Sequence, residues 1–108
     1  MRREDVPTAP PRTLVDGDAS AYGAGALLRA SEAVTGASVG TRNATLNTEA
    51  LGLYRLVAGG ELAEHVVTAW LSSAALYVGL DGREIARTLA SARRAGMAQP
   101  CRAPERVR

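Results

Sequence analysis

The run Gly40-Thr41-Arg42-Asn43-Ala44-Thr45-Leu46-Asn47 opens a long segment of helical apolar period. A helix N-terminus exposes unpaired backbone N–H groups and the positive end of the helix dipole. An arginine and two asparagines placed there are the residue types that would receive an anion. On this reading Arg42 contacts a phosphate while Thr41 and Asn43 shape the turn. Asn47, one helical turn beyond Asn43, is spaced to hydrogen-bond with it. The same residues fit a plainer role, in which Thr41 or Asn43 is an N-cap and Arg42 a solvated neighbour.

A second basic feature lies further along. Arg83, Arg87 and Arg94 recur on one side of a helical segment with Arg93 beside them, which suits either a phosphate backbone or a solvated outer face. In the nucleic-acid reading Arg93 and Arg94 add electrostatic attraction to the Arg42 turn. Gly79-Leu80-Asp81-Gly82-Arg83-Glu84-Ile85-Ala86-Arg87-Thr88-Leu89 also looks like the opening of a helix-turn-helix, yet Ala92 to Met97 runs out before a recognition helix.

Other chemistry finds little footing. Gly36-Ala37-Ser38-Val39-Gly40-Thr41 has three residues between its glycines, lacks the lysine of a phosphate-binding loop, and follows a helix instead of a strand. His65, beside Glu64 and near Glu61, has no second histidine for a metal site. Ser72-Ser73 has no nearby base. Asp16 and Asp18 stand in a linker without a sheet to aim them. The expectation is a chain with no catalytic residues, no metal and no cofactor.

These residues need a scaffold, and the composition bounds it. The chain has 108 residues, enough for one domain, and 46% are hydrophobic, but there is no Phe and only one Trp. An alanine-rich core of this kind suits closely packed helices. All thirteen basic residues are arginine and the net charge is +2, too small by itself to demand a nucleic-acid partner. Eight lie near the ends: Arg2, Arg3, Arg12, Arg93, Arg94, Arg102, Arg106 and Arg108. Cys101 is alone, so there is neither a disulfide framework nor a metal cluster. Met1-Arg2-Arg3-Glu4-Asp5 carries no apolar leader and no apolar run reaches membrane length, so a cytoplasmic protein is expected.

The pattern divides into a flexible Pro-rich arm at 1–17, a helical bundle domain at 18–97 and a flexible basic tail at 98–108. Four helices are predicted. The first spans Ala19 to Val34 with Asp18 as N-cap. The second starts at Thr41–Asn43, carries Leu46, Ala50, Leu53 and Val57 on one face, and ends at Gly59-Gly60. The third spans Leu62 to Val78 and stops at Gly79. The fourth follows the N-cap Asp81, turns Ile85, Leu89 and Ala92 inward, and closes at Gly96. The fold class is all-α, a compact bundle of about four helices with disordered Pro/Arg-rich ends.

Gly40–Asn47, the Leu62–Val78 segment, Gly79–Glu84 and Thr88-Leu89-Ala90-Ser91-Ala92-Arg93-Arg94-Ala95-Gly96 together resemble the C-terminal helical domain of bifunctional DNA primase/polymerases. The versions carried by actinobacterial phages and integrative elements are the most similar, over about residues 19–100. The resemblance implies an accessory module of replication priming that binds single-stranded or primed DNA, with or without a nucleotide, beside a primase/polymerase or helicase partner. The catalytic core of those enzymes, with its metal-binding carboxylates, has no counterpart here. A protein-interaction module that docks on a replication enzyme or on itself is the alternative, and a duplex-binding regulator of helix-turn-helix type is a third.

Overall fold

The computed structural model describes residues 19–104. The arm at 1–17, Asp16, Asp18, and Arg2, Arg3, Arg12, Arg106 and Arg108 lie outside the described residues. Four helices follow one another: α1 (Ala21–Thr35), α2 (Arg42–Ala58), α3 (Glu64–Tyr77) and α4 (Gly82–Met97). Among the described residues the only β pairing is a single antiparallel bridge between Ala19 and Leu62. The all-α bundle read from the sequence is the fold observed.

That bridge moves two helix starts. Ser20, not Asp18, caps α1: its Oγ accepts from the Gly23 N–H at 3.0 Å, while its own N–H donates to the Glu61 carbonyl at 2.9 Å. Leu62 and Ala63 stay extended in the same contact, so α3 begins at Glu64. The ends of α2 and α3 share one device. Gly60 and Gly79 adopt φ of +88° and +94°, and the residue after each returns its N–H to the last turn, Glu61 to Leu56 and Leu80 to Ala75. Left-handed backbone at these two points is what glycine allows cheaply, and it satisfies carbonyls that the helix leaves open. Asp81 opens α4 by accepting from the N–H groups of Arg83 and Glu84.

The core is built from Leu27, Val34, Leu46, Tyr54, Val67 and Leu71, all essentially inaccessible. Successive helices reverse direction, so α2 and α4 point the same way. Asn43, at the start of α2, meets Thr88 midway along α4, and Leu51 and Tyr54, further along α2, meet Gly96 near the end of α4. α2 touches every other helix and packs most extensively on α4.

Gly96 does not close α4, as its place in the sequence suggests; the helix runs on to Met97. Its role is contact. A Cβ there would stand 2.8 Å from Tyr54 Cβ and 2.9 Å from the Leu51 carbonyl oxygen. The segment after α4, expected as a flexible tail from residue 98, is tied back to α2. Cys101 N–H donates to the Arg55 carbonyl at 2.9 Å, Arg55 Nε donates to the Gln99 carbonyl at 3.0 Å, and Ala103 N–H donates to Glu61 at 3.1 Å.

Two glycines of similar helical setting should therefore respond oppositely to a methyl group. Gly96→Ala is expected to lower stability by about 1–3 kcal/mol, because the atoms that must give way include backbone. Gly52→Ala in α2, where a Cβ meets nothing within 4 Å, should raise it by about 0.5–1 kcal/mol. Urea unfolding of both variants checks this; equal effects would mean that α2 and α4 are not in close backbone contact.

Candidate interaction surfaces

The predicted site residues separate into groups. Arg42 is the first residue of α2 and is partly buried, with its guanidinium turned toward the Gly79 turn between α3 and α4. Its Nε is shielded from solvent and makes no hydrogen bond. Thr41 precedes it with ψ near 2°, a conformation that does not carry its hydroxyl to the helix amides; Oγ1 donates instead to the Ser38 carbonyl at 2.9 Å. The first turn of α2 is thus left without a side-chain cap. Asn43 does not face that turn's opening: its Nδ2 donates to Thr88 Oγ1 at 2.8 Å and fastens α2 to α4. Asn47 is exposed and makes no hydrogen bond with Asn43 among the described residues.

Arg93 and Arg94 lie at the opposite end of α4 from Arg42. Arg93 is engaged by Glu64 of α3, with Nε to Oε2 at 2.5 Å and Nη2 to Oε1 at 3.3 Å. Its charge is therefore largely matched. Arg94 is exposed, as are Arg83 and Arg87. At about 100° per residue these three fall within about 40° of one another on α4, opposite Ile85, Leu89 and Ala92. No ion pair joins them to a carboxylate of the described residues.

Because α2 and α4 run parallel, their N-termini share one end of the molecule. The uncapped turn of α2, Arg42, and the Arg83 and Arg87 positions of α4 all belong to that end. Two helix dipoles direct their positive ends there, partly offset by Asp81 and Glu84. One exposed aromatic, Tyr77, ends α3 two residues before the Gly79 turn that Arg42 faces. Tyr54 is buried, and Trp70 and Tyr77 line a shallow depression of about 440 Å³ between α1 and α3.

A second surface includes only Arg93 of the sequence-predicted residues. α3 and α4 touch far less than α2 and α4 do, and between them runs an open groove of about 430 Å³. Tyr54, Ile85 and Leu89 contribute to its floor; Thr68, Ser72 and Leu76 line the α3 side, and Ala86 and Ala90 the α4 side. Leu76 is 58% exposed at its mouth. The Glu64–Arg93 pair and the Tyr54 hydroxyl, 2.6 Å from Thr68 Oγ1, form its polar end. One signal in the sequence did point here: from His65 to Leu80 no residue is acidic or basic apart from the single histidine. A surface helix with no charged stripe is unusual for a face that meets water.

Among the described residues, no three His, Cys, Asp or Glu side chains gather as metal ligands, and no helix is long and apolar enough to cross a membrane. After α4 the described chain forms no further helix, so a recognition helix is not found there. No protein-family model, curated protein or solved structure matches the chain.

The Glu64 carboxylate is held below the usual glutamate range, chiefly by the hydrogen bond from Arg93, with some desolvation opposing and the Arg93 charge adding. Its depressed folded-state pKa makes the pair stabilising above the ordinary carboxylate value. That contribution is lost as pH falls through the folded value. In an NMR titration Glu64 should therefore titrate below the ordinary glutamate value, and Arg93→Gln should move it upward. An unchanged Glu64 in that variant would show that the ion pair is not formed in solution.

Proposed function

We propose that this chain is a non-catalytic module that binds the phosphate backbone of nucleic acid at the end where α2 and α4 begin. The observation that carries the reading is the uncapped first turn of α2 beside Arg42, whose Nε has no partner. Backbone N–H groups, a helix dipole and a guanidinium converge there, which is the chemistry that holds a phosphate oxygen. Arg83, Arg87 and Arg94 extend the attraction along α4, so a strand following that helix meets successive positive charges. Thr41 positions the turn, Asn43 holds α2 against α4 instead of touching the ligand, and Arg93 contributes little while paired with Glu64.

In the replication setting that the motifs imply, the ligand is single-stranded or primed DNA presented to a partner primase, polymerase or helicase. The arginine face carries no aromatic platform, so binding rests on charge, with weak base preference and steep dependence on ionic strength.

Fluorescence anisotropy with labelled single-stranded and duplex oligonucleotides across a salt series tests this. Binding should weaken as salt rises. Arg42→Ala and Arg87→Ala should each weaken it and reduce the log–log salt slope by about one. Single-strand preference supports the priming role, whereas duplex preference supports a regulator. A folded wild type that binds neither at low salt would sink the reading.

A further inference from the structure

We propose that the groove between α3 and α4 is the docking site for an acidic amphipathic helix of a partner protein. This goes beyond nucleic-acid binding and uses different residues. The groove extends from Glu64 to Leu76, thirteen residues of α3, or about 18 Å, which is the length of roughly three turns of a bound helix. Its floor is apolar, and Ala86 and Ala90 on the α4 side leave room for a backbone to come close. A helix laid there would cover Leu76 and complete the packing that α3, uncharged along this face, lacks.

The charges select the occupant. Among the described residues Glu64 is the only carboxylate lining the groove, and Arg93 neutralises it. The α3 side presents Thr68 and Ser72, which are neutral. The α4 side is bordered by Arg83, Arg87 and Arg94, exposed and without carboxylate partners among the described residues. An incoming helix whose apolar stripe is flanked by Asp or Glu on the α4 side is complementary; one flanked by Lys or Arg is repelled. A second copy of this chain is a poor occupant for symmetric docking, because its α4 face, basic at Arg83, Arg87 and Arg94, would meet the same basic border.

The test uses the full chain and two fluorescein-labelled 14-residue helical peptides that share one leucine stripe, flanked by Glu in one and by Lys in the other. The Glu peptide should bind at least about tenfold tighter than the Lys peptide. Leu76→Glu and Ala90→Glu, both at exposed positions and expected to fold by circular dichroism, should each weaken it about tenfold or more. Leu76→Gln, which adds no charge beside the arginines, should also weaken the peptide while leaving oligonucleotide binding by Arg42 intact. Arg83→Ala/Arg87→Ala should erase most of the difference between the peptides. Equal binding of the two peptides, or none by either, would overturn the proposal. So would a wild-type dimer in sedimentation that Leu76→Glu dissolves, which would assign the groove to self-association.

Discussion

The close approach of α4 to α2 is the constraint on which the rest of this structure depends. At Gly96 the two helices meet backbone to backbone, with the Leu51 carbonyl and the Arg55 amide within 3.1 Å of where a side chain would begin. Ala92 and Ala50, both buried, keep the contact thin elsewhere. α3 touches all three other helices, but it meets α4 least. The open groove beside it is the geometric counterpart of the tight pair.

The same contact decides where charge collects. In an alternating four-helix chain, α2 and α4 run parallel, and pressing them together brings two positive dipole ends to one pole of the molecule. Asp81 caps one of them. The other has no side-chain acceptor, because Thr41 is committed to the preceding loop and Asn43 to Thr88. An uncapped helix start costs stability of about 1 kcal/mol relative to a good cap. Its retention beside an arginine with an unpartnered Nε is a local inconsistency of the kind that functional sites show. At the opposite pole the chain is closed off. Glu61 binds Ser20 and the Ala103 amide, and its carboxylate is held low chiefly by the Ser20 hydroxyl.

The helices were legible in the sequence because their signals are local. Leu46, Ala50 and Leu53 at helical spacing, Asp81 before Arg83-Glu84, and glycine after α2 and α3 each act within one or two turns. What was not legible depends on partners distant in the chain. Ser20 replaces Asp18 as the cap because Glu61, forty-one residues away, receives its N–H. Gly96 reads as a stop until α2 is seen against it. Arg93 and Arg94 look alike in sequence, yet only Arg93 faces Glu64, because one residue of helical rotation separates the α3 side of α4 from its outer side. Asn43 looks like a loop residue until Thr88 is placed opposite. Helix existence is a property of a segment; the assignment of a polar side chain to a ligand or to a neighbour is a property of the packed whole.

α4 shows how little sequence is needed to separate three roles. Ile85, Leu89, Ala92 and Gly96 face α2. Rotating by about a quarter turn brings Ala86, Ala90 and Arg93 to the groove, and a further step brings Arg83, Arg87 and Arg94 to solvent. The alanines between groove and outer face matter as much as the arginines. A longer residue at 86 or 90 would wall the apolar floor off from the basic face, whereas alanine leaves the two continuous. A ligand seated in the groove therefore lies within the field of the outer arginines, and a polyanion on the outer face lies beside the groove's edge. The two surfaces are distinct in their contacts but not independent in their electrostatics, and the chemistry that each prefers follows from that adjacency.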